Sequence, residues 1–143
     1  MKAAILFESL TGNTRTAAGL VAADLQQEGW GITGVSPVRR PDLQSVQDAD
    51  LVIVGTWVHG LFVVGQAPWG IGAIEHLPAM RGKRAATFCT YALDPGRTLD
   101  RLDAALRVVG CDVVGGVALH RSKLARHAEE FAARLVANVP ATV

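Results

Sequence analysis

The sequence has no CxxC pair, no HExxH and no uninterrupted apolar run long enough to cross a bilayer. Its two cysteines, Cys89 and Cys111, lie far apart. That excludes a disulfide scaffold and a thiolate metal site, and leaves both as small core residues. Four histidines (His59, His76, His120 and His127) have no ligand spacing, so no metal is expected. Excess charge is also lacking. Fourteen Lys and Arg against 13 Asp and Glu leave a net +1, which draws the chain neither to nucleic acid nor to an anionic membrane. The opening MKAAILF is interrupted by Glu8 before it can act as a signal peptide, so a cytoplasmic protein is expected. No GxxxxGKS/T occurs, and the one GxGxxG match, GWGITG (29–34), follows a helical pattern and runs into a strand, the reverse of the dinucleotide-loop order, so neither a nucleoside triphosphate nor a dinucleotide is favoured.

What is present suits a folded chain. Hydrophobic residues fill 50% of 143 positions and charged ones 19%. That is enough for one well-buried core and too little for two ordinary domains, so one domain over 1–143 is expected. Short β-branched runs alternate with segments of helical period. The runs are KAAILF (2–7), GITGV (31–35), LVIVG (51–55), AATFC (85–89) and DVVGGVAL (112–119). The first, third and fourth are apolar almost throughout, as central strands covered on both faces should be.

Ala17, Leu20, Val21 and Leu25 predict a helix from near Thr14 to a stop at Gly29. A brief second helix is expected from about Asp42 to Gln47, and a third, broken by glycines before Ile74, within APWGIGAIEHLPAMRGK. Asp94 and Pro95 read as the start of a fourth helix, with Leu99, Leu102, Leu106 and Val109 on one stripe and Gly110 as its stop. The last opens at Ser122 and turns Leu124, Ala128, Phe131 and Leu135 inward. Its start, HRSKLARH, bears several cations and reads as a solvated face. Five strands and five helices in strict alternation predict an α/β fold, a doubly wound parallel sheet.

Ligands of such sheets sit outside the carboxyl ends of the strands. Directly after the first strand stands SLTGNT, with Ser9, Leu10, Thr11, Gly12, Asn13 and Thr14. A helix beginning near Thr14 offers unpaired N–H groups and the positive end of its dipole to this loop. Ser9, Thr11 and Thr14 add hydroxyls, Asn13 an amide, and Gly12 close backbone approach. An N-cap needs one hydroxyl; three plus an amide suit a terminal phosphate. Arg15 is the nearest cation and can simply face solvent.

SLTGNT resembles the phosphate loop of the flavodoxins, proteins that carry flavin mononucleotide (FMN) on a five-stranded sheet of order 2-1-3-4-5. The similarity runs over nearly the whole chain, in element order and in three loops, and corresponds to the short-chain type. It implies FMN as cofactor and an electron carrier between redox protein partners, a reductase and an electron acceptor. After the third strand, Thr56, Trp57, Val58, His59 and Gly60 resemble the loop that lays an aromatic ring, here Trp57, on the dimethylbenzene side of the flavin. After the fourth, FCTYALD resembles the third loop, with Tyr91 against the other flavin face and Thr90 near the pyrimidine edge. His59 either bonds the flavin or points to water.

Two departures from the family bear on the chemistry. Flavodoxins are strongly acidic around the flavin, whereas 56–73 contains no Asp or Glu, which implies easier full reduction. Many have glycine where this chain has Val58, and a β-branched residue resists the peptide flip that stabilises one-electron-reduced flavin. An FMN-dependent quinone or NAD(P)H oxidoreductase of the same fold is the alternative, with GLFVVGQAPWG as a substrate floor or a homodimer contact. In that segment Phe62 and Trp69 either form an exposed patch or fold back over the sheet. A flavin-free interaction domain is a further alternative. A phosphoacceptor receiver is rejected, because Gly55 and Thr56 stand where its aspartate would end the third strand.

Overall fold

The computed structural model describes residues 1–8, 12–58, 71–75, 77 and 80–139. Among them five strands alternate with five helices: β1 (Lys2–Phe7), α1 (Asn13–Gln27), β2 (Gly31–Pro37), α2 (Leu43–Asp48), β3 (Leu51–Trp57), α3 (Ile71–Ile74), β4 (Arg84–Tyr91), α4 (Thr98–Val108), β5 (Asp112–His120) and α5 (Leu124–Asn138). All strand pairings are parallel, in the order β2-β1-β3-β4-β5. The apolar runs β1, β3 and β4 are indeed the interior strands, and β2 and β5, with their mixed burial, are the edges.

Helices cover both faces. On one, α1 and α5 pack Ala17, Val21, Leu25, Ala128, Phe131 and Leu135 over Ile5, Ile53 and Phe88. On the other, α2, α3 and α4 bring Val46, Ile74, Leu102 and Leu106 onto Leu6, Val52 and Val54. Gly55 is required by the first face, since a Cβ there would overlap the Phe88 ring.

Sequence signals for helix ends are met unevenly. Gly29 and Gly110 take left-handed φ of 89° and 92° just beyond α1 and α4, as expected of stops. Asp42 caps α2, accepting from the Ser45 N–H at 3.2 Å. Two start signals do not open their helices. Asp94 instead accepts the Gly96 N–H at 2.9 Å, closing a turn, and α4 begins at Thr98. Ser122 turns back to His120, with Oγ 2.7 Å from its Nδ1, and α5 begins at Leu124. In both places a short polar side chain had a nearer partner than the helix N-terminus. The third helix stops at Ile74.

Candidate functional site at the carboxyl edge of the sheet

Parallel pairing brings the ends of β1, β3 and β4 side by side, and the sequence motifs follow those ends. Expected as loop residues, Thr56 and Trp57 instead end β3, and Thr90 and Tyr91 end β4. The ladder carries on through Thr56↔Cys89 and Trp57↔Thr90, and the Val58 N–H donates to the Thr90 carbonyl at 3.0 Å. Threonine and aromatic residues extend a strand readily, so the polar composition concealed two more paired positions on each strand. Alternation then sets Trp57 and Thr90 toward the α1 face and Tyr91 toward the opposite face. Two aromatic rings therefore flank the edge of the sheet from its two sides.

At the start of α1, Gly12 is the N-cap and adopts φ 93°, which costs other L-residues roughly 1–2 kcal/mol. No acidic residue lies in the first turn. Thr14, in that turn, is fully buried, and its hydroxyl lies 2.9 Å from that of Thr90, itself 3% exposed. This bond ties the helix start to the end of β4 across 76 positions of sequence. Asn13 is the first helical residue. Arg15 is exposed, with its guanidinium 5.8 Å from the centre of the Phe7 ring. Ser9, Leu10 and Thr11 of the first motif, and His59 and Gly60 of the second, lie outside the described residues, as do Phe62 and Trp69.

One neighbour was not anticipated. The His120 ring meets Tyr91 edge to face, with centroids 5.1 Å apart and planes at 84°. Its Nδ1 accepts the Ser122 N–H at 3.1 Å, and the His120 N–H donates to His127 Nδ1 at 3.0 Å. An acceptor Nδ1 selects the tautomer with its proton on Nε2. Strand register held the clue, because Tyr91 and His120 are paired positions.

Glu8, after β1, is held by Arg39 at 3.0 Å. Burial pushes the Cys89 thiol up to about 12 and the Cys111 thiol up to about 11, so both stay protonated and inert at neutral pH. An anion at the α1 start therefore meets helix N–H groups and uncharged hydroxyls, with no first-turn carboxylate to repel it. This donor chemistry fits a phosphomonoester, and the flanking rings fit a flat conjugated system beside it.

No curated protein matches the sequence. The backbone superimposes on solved flavodoxins: one from Streptococcus pneumoniae (24% identity, 97% of this chain and 100% of that one, TM-score 0.73), oxidised flavodoxin 2 from Bacillus cereus (18%, 96% and 99%, 0.74), and two-electron-reduced flavodoxin from Megasphaera elsdenii (17%, 92% and 98%, 0.69). Among the described residues no helix is long and apolar enough to cross a membrane. The family model for the flavodoxin domain matches residues 4–101, more than half of the sequence. The chain belongs to the flavodoxin domain family, whose cofactor is FMN and whose members pass electrons to redox partners.

Proposed function

We propose that this protein is an FMN-carrying electron shuttle whose cofactor sits across the ends of β1, β3 and β4. Ser9, Leu10, Thr11, Gly12, Asn13 and Thr14 wrap the phosphate. Thr56, Trp57, Val58, His59 and Gly60 line one side of the ring, Tyr91 the other, and Thr90 the pyrimidine edge. FMN bound there supplies an isoalloxazine that takes up and releases one or two electrons.

The chain's own residues bind, orient and shield. Thr14 offers its hydroxyl and its helix start to the phosphate, and its bond to Thr90 sets that donor's position before any ligand arrives. Trp57 and Tyr91 exclude water from the ring faces, each pair contributing roughly 0.5–1.5 kcal/mol beyond area burial. The Val58 N–H is occupied by Thr90, which pins the backbone just before the peptide that would face the flavin.

The Thr14–Thr90 hydroxyl pair carries this reading, because it joins the first and third motifs at one point. Protein purified without added cofactor should be yellow and release FMN on denaturation. It should leave NAD(P)H and quinone mixtures unreacted unless a reductase is added. A colourless protein that ignores added FMN would refute the reading, and unaided NAD(P)H oxidation would turn it into an enzyme.

A further inference from the structure

Charge is distributed unevenly between the two ends of the sheet. The carboxyl end comprises positions from each strand end to the first turn of the next helix: 8–16, 38–46, 58–74, 92–101 and 121–127. It holds eight of the chain's 14 Lys and Arg but only four of its 13 Asp and Glu, leaving six against nine for the rest. A chain of net +1 is thus a dipole whose positive pole is the cofactor end, and the charge of about −2 that an FMN phosphate adds there reduces this excess without reversing it.

The four carboxylates there are already engaged. Glu8 pairs with Arg39, Asp100 faces Arg97 at 3.8 Å, Asp42 accepts from Ser45, and Asp94 accepts from Gly96. Arg15, Arg40, Arg101, Arg121 and Lys123 are exposed, and among the described residues none has a carboxylate partner. They follow different strands, so the cations surround the edge rather than form one stripe. The longest connection, 58–70, contributes no Lys, Arg, Asp or Glu.

We infer that this end is a docking surface for a redox protein with an acidic face around its own redox centre. The inference rests on the proposed FMN site, since docking here shortens the electron path only if the flavin lies at this edge. Complementary potentials steer encounter and orient the partner, and their effect falls with salt. An anionic polymer or bilayer fits less well. Eight cations around an edge lack the continuous basic stripe that a phosphate backbone follows, and the rest of the molecule is acidic.

The test uses the full-length, FMN-loaded protein, reduced with dithionite and mixed with ferricyanide. Each ferricyanide accepts one electron to become ferrocyanide, two per fully reduced flavin. The rate should fall roughly fivefold between about 10 and 200 mM salt, and should rise with salt for the cationic oxidant hexaammineruthenium(III). Reduction of the oxidised protein by photoreduced, acidic plant-type [2Fe–2S] ferredoxin should show the falling trend too. Arg40→Glu with Lys123→Glu should slow the ferredoxin reaction at least threefold at low salt, while Arg134→Glu, in the second half of α5, leaves it unchanged; an unaltered flavin spectrum verifies folding. A rising or flat salt trend with ferricyanide would overturn the inference. So would ferredoxin transfer slowed equally by duplex DNA or phosphatidylserine vesicles at 150 mM salt. Failure to bind FMN would instead remove the site reading, which the flavin spectrum reveals before any kinetics.

Discussion

The two ends of the sheet use their polar groups differently. At the amino ends they close the chain on itself. The Lys2 N–H donates to Asp50 Oδ2 at 2.9 Å, and Lys83 Nζ donates to the Gln47 and Ala49 carbonyls at 2.8 and 2.6 Å, tying off the end of α2. At the carboxyl ends the connections are longer, and the bond that matters, Thr14 to Thr90, fixes a donor beneath the place where a ligand is proposed to lie. One end is built for stability and the other for recognition, so mutations at the two should separate binding from folding.

The largest effect is expected at Trp57. Trp57→Ala should weaken FMN binding by roughly 100-fold, from the loss of about 2–3 kcal/mol of ring contact and burial, read by titrating the apoprotein. Next is Thr14→Val, which removes a phosphate donor. FMN affinity should drop about tenfold while riboflavin affinity stays level, and urea unfolding should show a loss of about 1 kcal/mol from the orphaned Thr90 hydroxyl. Lys83→Met should invert the pattern. It should lower stability by roughly 1 kcal/mol with FMN affinity unchanged, since two helix-end carbonyls lose their donor far from the site.

A finer contrast lies within the second motif. Val58→Gly should raise the radical signal at half reduction, measured by electron paramagnetic resonance, because glycine permits the backbone rotation that valine resists. A smaller effect still concerns Asp24 on α1. Its Oδ2 is buried without a hydrogen-bond partner, and burial first, then the Glu129 charge, raises its affinity for a proton. A carboxyl that binds its proton more tightly folded than unfolded adds stability below the ordinary carboxylate range, and that stability is lost as pH rises through its folded-state value. Asp24→Asn should therefore raise the urea midpoint at pH 7 and leave it nearly unchanged at pH 3.

Much of the fold was legible because each central strand is a short apolar run and each long helix carries an apolar stripe. Ile5, Ile53 and Phe88 announced β1, β3 and β4, and Phe131 and Leu135 the inner face of α5. Strand ends were less legible. Thr56, Trp57, Thr90 and Tyr91 are polar or amphipathic, and only their neighbours in the sheet show that the ladder includes them. The same limit hid the ring contact of His120 with Tyr91, which depends on strand register. At Asp94 and Ser122, local hydrogen bonds competed with helix capping, and sequence alone does not rank the two.

The account turns on a phosphate seated at the start of α1. Calorimetric titration of the apoprotein with FMN and with riboflavin tests this most directly, since the two ligands share the ring and differ in the phosphate. FMN should bind one to one and at least about 100-fold more tightly than riboflavin, the order expected of a dianion among several charge-assisted donors. Equal affinities, or riboflavin binding the more tightly, would contradict it.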